Sequence, residues 1–213
     1  MQGAPTRTTY RHGDLRRALL NAGIDLARAG GPDAVVLREA TRRAGVVPNA
    51  AYRHFASRQE LLAAVRAHAL SQLAQAMESR LDALDRSLPP DGYARASLRA
   101  VGHGYLHFAR AETGLFRTAF SVMDSAEAVA RDTDPAKAGQ SGLNPFQLLG
   151  AALDRMVETG ALPASRREGA EYLAWAAVHG LALLLIDGPL RGAPAEQERV
   201  LSGRLQEMVE AGL

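Results

Sequence analysis

Residues Leu37–Arg58 read LREATRRAGVVPNAAYRHFASR. Two runs with helical spacing flank Gly45, about Leu37–Ala44 before it and about Pro48–Phe55 after it. Gly45 supplies the left-handed backbone that a tight turn after a helix needs, and Pro48 suits a first helical turn. Helix, glycine turn and short helix form the layout that carries a helix into the DNA major groove. The remaining chain is far too long to serve that motif alone. The expected cargo is a dimerising sensor.

Upstream, Leu15, Leu19, Ile24 and Leu26 give an apolar stripe to a helix over about Asp14–Ala29, stopped by Gly30-Gly31-Pro32-Asp33. Downstream, Ser57-Arg58-Gln59-Glu60 is a capping box. It opens a fourth, long helix through Leu61, Leu62, Val65, Leu70, Leu73, Met77 and Leu81, ended by Leu88-Pro89-Pro90-Asp91-Gly92. That helix joins the two halves without a flexible linker. Five further helices are expected at about Tyr93–Ala111, Thr113–Val122, Pro145–Gly160, Arg166–Ile186 and Ala195–Ala211, with a loose polar segment at Asp124–Gly142.

Strand signals are nearly absent, so the fold class is all-α. A three-helix helix-turn-helix DNA-binding domain with its N-terminal arm occupies 1–60. A long helix joins it to a helical ligand-binding and dimerisation domain at 61–213. A chain of 213 residues with 47 % hydrophobic content has enough apolar surface for a real core. Without cysteine there are no disulfides and no thiolate metal sites. Met1 leads into QGAPTRTTYRHGDLRR, which has no apolar core of a signal peptide, and the most apolar run, Leu173–Ile186, is too short for a bilayer. The expectation is a cytoplasmic protein that does not engage a membrane.

Net charge is +2 but unevenly spread. Residues 1–70 hold eleven arginines against five acids, a surplus of six, which leaves −4 on the remainder. A basic first third on an acidic body points to an anionic partner. A merely solvated surface is the competing reading of the charge alone.

Several blocks, in order and at fixed spacing, resemble the TetR (tetracycline-repressor-like) family of transcriptional regulators. They are Tyr10–Arg16, Leu37-Arg38-Glu39-Ala40, Arg43-Ala44-Gly45-Val46, Tyr52-Arg53-His54-Phe55 and Ser57–Leu62. The resemblance covers about residues 8–70. In the body, Trp175, His179 and Gly180 resemble the tryptophan–histidine–glycine signature of one C-terminal class of that family.

The resemblance implies that the third helix lies in the major groove of double-stranded DNA. Val47, Pro48, Asn49 and Ala50 then sit at base edges, and Asn49 alone among them has a donor and an acceptor with which to read adenine. Arg53 would read guanine or hold a phosphate, and Arg38 would reach a base or the backbone. Tyr52, His54 and Arg58 match phosphate-binding positions, which fix register without reading sequence. Arg7 and Arg11 would follow the backbone or minor groove as an arm. Arg16, Arg17, Arg42 and Arg43 read better as solvated or salt-bridged. Two departures stand out. Val47 replaces a small polar residue, and Ala51 replaces a larger apolar one, which thins the packing beneath the third helix.

It also implies a homodimer on a pseudo-palindromic operator, formed by the last two helices. Leu173, Ala176, Ala177, Gly180, Leu181 and Leu184 supply one stripe, and Val200, Leu201, Leu205, Met208 and Val209 the other. Burial of these stripes within one chain is the alternative. A pocket for a small-molecule effector would lie in the body. Its candidate lining is His103, Tyr105, His107, Phe108, Phe116, Phe120, Met123, Trp175 and His179, with ordinary core packing the competing reading for each.

Enzyme signals are weak. Ser141 lies in Gln140-Ser141-Gly142 rather than G-x-S-x-G, and H-E-x-x-H, P-loop and dinucleotide fingerprints are missing. His103 and His107 share a helix face but no acid completes a metal site, so no metal or cofactor is expected. The sequence thus predicts a ligand-relieved repressor. Activation instead of repression, and a helical adaptor with a degenerate reader, stay open.

Overall fold

The computed structural model describes residues 12–122, 128 and 131–213, with the side chains of 12–14 and 48 not described. Nine α-helices are formed among the described residues. They are α1 His12–Gly30, α2 Leu37–Arg43, α3 Pro48–Ala51, α4 Arg58–Asp82, α5 Pro90–Ala111, α6 Thr113–Ala119, α7 Pro145–Glu158, α8 Ala170–Ile186 and α9 Ala195–Gly212. Short 3-10 turns sit at Pro32–Ala34, Pro135–Lys137 and Ala164–Arg166.

The helix ends follow the local chemistry. Gly45, at φ 67°, ends α2 in a Schellman motif: Val46 N–H donates to the Thr41 carbonyl (3.1 Å) and Gly45 N–H to that of Arg42 (3.3 Å). Ser57 caps α4 by accepting from Glu60 N–H (3.1 Å). The returning bond of the expected capping box goes one residue earlier, from Ala56 N–H to Glu60 Oε2 (2.7 Å). Asn144 and Gln147 form a full capping box at α7.

Three expected boundaries move. Helix three ends at Ala51 rather than Phe55, because Tyr52–His54 tighten into a turn that must deliver Ser57 in extended geometry for the α4 cap. Helix eight starts at Ala170 rather than Arg166, where Gly169 takes the left-handed conformation (φ 76°). Helix six ends at Ala119, short of Val122.

The loop expected to be loose is instead strapped to α4 over its described part, residues 131–142. Glu78 accepts from Gln140 N–H (2.8 Å), Ser141 N–H (2.9 Å) and Ser141 Oγ–H (2.6 Å), and Ser71 Oγ–H donates to the Ala138 carbonyl (2.6 Å).

One hydrophobic cluster runs through the molecule from Leu19 to Leu213. Its spine is α4. The first part of α4 packs against α1, where Leu61 and Val65 meet Gly23, and its remainder packs on α5, where Met77 meets Gly104. The α4–α5 crossing is close because residue 104 is glycine. A Cβ there would lie 2.5 Å from Met77 Cα and 2.7 Å from the Ala76 carbonyl oxygen, both backbone atoms that cannot swing aside. Gly104→Ala is therefore expected to destabilise the fold by about 1–3 kcal/mol, against the gain in helix propensity. Chemical denaturation at matched protein concentration checks this, and an unchanged midpoint would contradict the crossing.

Helix α8 is apolar on every side. Ala174, Leu181, Ala182, Leu185 and Ile186 face the core, whereas Leu173 (63 % exposed), Ala176, Leu183 and Leu184 face outward. On α9, Met208 (60 %) and Val200 (43 %) are also exposed. Among the described residues, no helix is long and apolar enough to cross a membrane.

Candidate nucleic-acid interface and body cavity

Helices α2 and α3 project one exposed face. Val47 (68 % exposed), Asn49, Tyr52 (58 %), Arg53 and Arg38 all lie on the surface, with Ala50 and His54 half-buried. Beneath them Phe55, Ala51 and Ala40 are fully buried. Among the described residues Arg38 and Arg53 have no ion-pair partner, so their charges stand toward solvent.

Their neighbours are tied up. Glu39 accepts from Arg42 at 2.8 and 2.7 Å and from Arg43 at 3.1 Å. These guanidinium hydrogen bonds hold the Glu39 carboxyl down at about 2. Arg42 and Arg43 are thus salt-bridged, as expected for them. Arg16 lies over the Phe55 ring, 4.8 Å from its centroid. Arg7 and Arg11 lie outside the described residues.

Arg58 has a structural task that the motif did not disclose. Its Nε–H donates to the Val35 carbonyl and a terminal N–H to that of Pro32, both at 2.8 Å, with Asp33 3.9 Å away. The side chain pins the start of α4 to the turn before α2. Arg58→Ala is expected to lower stability by about 1–2 kcal/mol, the loss of two charge-assisted bonds discounted for their part exposure. A thermal melt reads this apart from any DNA effect. No change in the melt would mean the two bonds contribute nothing. Beside Ala51 a surface depression opens between Leu37, Arg38, Thr41 and Tyr52, the thinning expected from a small residue there.

The body holds a cavity of about 100 Å³, partly open to solvent, among α4, α5, α7, α8 and α9. Its exposed wall area is almost wholly apolar, with Arg66, Arg99, Asp132, Lys137, Asn144, Gln206 and Glu210 also in the lining. Leu70 and Met77 come from α4, Leu98 and Val101 from α5, Phe146 and Leu149 from α7, Trp175 and Val178 from α8, and Leu205 and Val209 from α9; Tyr105 and Phe120 complete it. A polar relay backs this wall. Trp175 Nε1–H donates to Tyr105 Oη (3.2 Å), and Tyr105 Oη shares a hydrogen bond with His179 Nδ1 (2.6 Å). Burial pushes the Tyr105 phenol up and the His179 imidazole down, which favours the neutral form of each.

Of the described residues expected to line a pocket, Tyr105, Phe120 and Trp175 do so. His179 sits one layer behind, its ring 5.0 Å from Phe120 and 6.1 Å from Trp175. Phe116 and Phe108 are buried in the core beside the cavity rather than in its wall. His103 and His107 are exposed on the outer side of α5, a register error that the helix alone could not reveal. Met123 lies outside the described residues. The apolar contributors from α4 were visible as a stripe, but which side of it faces an empty space depends on α5 and α7. Phe146 was the most accessible omission, since the Asn144-Pro145 start fixes its place on the first turn of α7.

On the outward face, Leu173, Ala176 and Leu184 are exposed, and a Cβ added at Gly180 or Gly203 would meet nothing. Leu181 belongs to the core instead, and Leu205 turns to the cavity wall. Tyr172 and Leu183 join the exposed face without having been expected there.

A helix-turn-helix face on one end of a continuous helix, with a hollow apolar body at the other, defines a class of DNA-binding regulator. Two family models agree with that assignment. Residues 19–65 match the bacterial regulatory proteins of the tetR family, and residues 98–208 match the tetracyclin repressor-like C-terminal domain. The chain belongs to the TetR family, whose members regulate transcription and are not enzymes.

Solved structures repeat the fold over nearly the whole length. A protein of unknown function from Rhodococcus sp. RHA1 is 25 % identical, with a TM-score of 0.73 over 97 % of this chain and 99 % of its own. A TetR family transcription regulator from Marinobacter aquaeolei VT8 is 17 % identical, at 0.62 over 91 % and 94 %. The TetR family regulator PfmR from Thermus thermophilus is 20 % identical, at 0.54 over 92 % and 98 %. No curated protein matches the sequence.

Proposed function

We propose that this protein is a homodimeric, ligand-relieved repressor acting on DNA in the cytoplasm. The observation that carries the reading is that α4 serves both ends. Arg66, Leu70 and Met77 of α4 line the cavity, and the same uninterrupted helix begins at the Ser57 cap, which follows the turn that ends α3. A molecule that fits the cavity better with α4 displaced would shift the pair of readers away from operator spacing. Residues 1–60 would then be the reader and 61–213 the sensor and dimer unit.

In this reading Asn49 and Arg53 contact base edges, with Val47, Pro48 and Ala50 alongside. Arg38, Tyr52 and His54 hold the backbone. Arg58 shares its guanidinium between phosphate and the two carbonyls it already binds. Leu173, Ala176, Ala177, Gly180, Leu184, Leu201 and Met208 bury against the partner, which supplies the cover that the outward face of α8 lacks. Trp175, His179 and Gly180 keep their likeness to the tryptophan–histidine–glycine class. The hydrogen-bonded order of Trp175 and His179 supports a shared role in shaping the wall.

Selection of bound duplexes from a random pool tests the proposal. An enriched inverted repeat, with half-site centres one helical turn or a multiple apart, is expected. A pool without any enriched motif would contradict it. Within the selected site, Asn49→Ala is expected to relax discrimination at one base pair by about 1–3 kcal/mol while leaving affinity for random DNA unchanged. Equal loss on both DNAs would remove Asn49 from base reading.

A further inference from the structure

We infer that the body cavity selects an uncharged, ring-bearing molecule with little hydrogen-bonding capacity. The inference rests on the proposal that the cavity is the effector site, and it names the chemical class that site takes.

The wall's polar groups are already satisfied by the protein. Tyr105 Oη is engaged on two sides, in a hydrogen bond with His179 Nδ1 and as acceptor from Trp175 Nε1–H. Asn144, 5 % exposed at the cavity edge, uses Oδ1 to accept from Gln147 N–H (2.9 Å) and Nδ2 to donate to the Asp132 carbonyl (3.3 Å). The charged groups at its rim also have protein partners. Lys137 pairs with Asp132, and Arg66 Nε–H donates to the Ala119 carbonyl at 3.0 Å. Arg99 forks onto the two carboxylate oxygens of Glu210. A carboxylate or ammonium entering this space would have to break one of these pairs or stay unpaired in an apolar wall, and either is costly.

What the wall offers freely is ring surface. Phe120, Trp175, Phe146 and Tyr105 surround the space, with Phe120–Trp175 centroids 6.1 Å apart and Phe146–Trp175 5.8 Å apart. Such spacing suits edge and face contacts to a further ring. The volume of about 100 Å³ is somewhat below the apolar cavity of about 150 Å³ that takes up benzene, so a single small ring is the scale it suits.

Trp175 is the only tryptophan of the chain and lines the cavity, so its fluorescence reports occupancy there. The test is a titration of the full-length protein with toluene, benzoate and benzylammonium, which share a ring and differ in charge. Saturable change with toluene, at a Kd at least about tenfold below those of both ions, is expected. Val178→Phe, which fills the space from α8, should abolish that response while the helical circular dichroism is kept; Leu205→Phe serves the same end from α9 should Val178→Phe not fold. Tighter or equal binding of either ion would overturn the neutral class and leave the cavity as a ligand site. No saturable response to any of the three would overturn the cavity as an effector site, and the class with it.

Discussion

Phe55→Ala is expected to cost about 3–5 kcal/mol, a large share of the stability of a domain of this size. Phe55 is fully buried. It lies between the turn that ends α3 and the cap that starts α4, so it is the nail between the reader and the spine. Its ring also carries the Arg16 guanidinium at 4.8 Å, a contact that alanine cannot keep. Collapse around a shortened side chain is hindered because neighbouring Ala51 and Ala40 are already small and fully buried. Urea unfolding at matched protein concentration measures the cost, and the concentration must be held because a dimer's stability depends on it. A loss below about 1 kcal/mol would place Phe55 outside the core. DNA binding should fall with folding rather than selectively, since Phe55 has no surface to offer a ligand.

The second large effect concerns the outward face of α8. Leu173→Glu with Leu184→Glu is expected to convert a dimer to a monomer without loss of helical content. Both leucines are well exposed in the single chain, so the fold loses little by their replacement. Two charges per subunit in an apolar, self-complementary face would be desolvated without partners, and the symmetry doubles that cost. Operator affinity should fall by about 10²–10⁴-fold, the contribution of linking two half-site readers. Analytical ultracentrifugation and operator titration of the double variant check the two halves. A variant that remains dimeric would move the interface elsewhere, and a monomeric wild type would contradict it outright.

Much of this molecule was legible because its signals are local. The Gly45 turn, the Ser57 cap and the α4 stripe depend on residues within a few positions of one another, and all three are realised. The basic surplus of the first third was legible too, since charge sums need no geometry. The cavity was not, and the reason is register. His103 and Tyr105 are neighbours on α5, yet one faces solvent and the other the cavity, a choice made by α4 and α8 rather than by α5. The loop at 131–142 was misread for a related reason. Its polar composition suggests looseness, but the groups that fasten it, Ser71 and Glu78, are some sixty residues away on α4. Arg58 carries the same lesson at the reader: its motif position suggests phosphate, and only the fold reveals the Val35 and Pro32 carbonyls beneath it.

The central claim is sequence-specific DNA binding by the α2–α3 face. Fluorescence anisotropy against duplexes flanking the protein's own coding region, with scrambled DNA as control and a salt series, tests it most directly. One short inverted repeat should bind at least about a hundredfold more tightly than the scrambled control, with affinity falling steeply as salt rises. Absence of binding to either DNA, even at low salt, would contradict it and leave a helical ligand-binding protein with a degenerate reader.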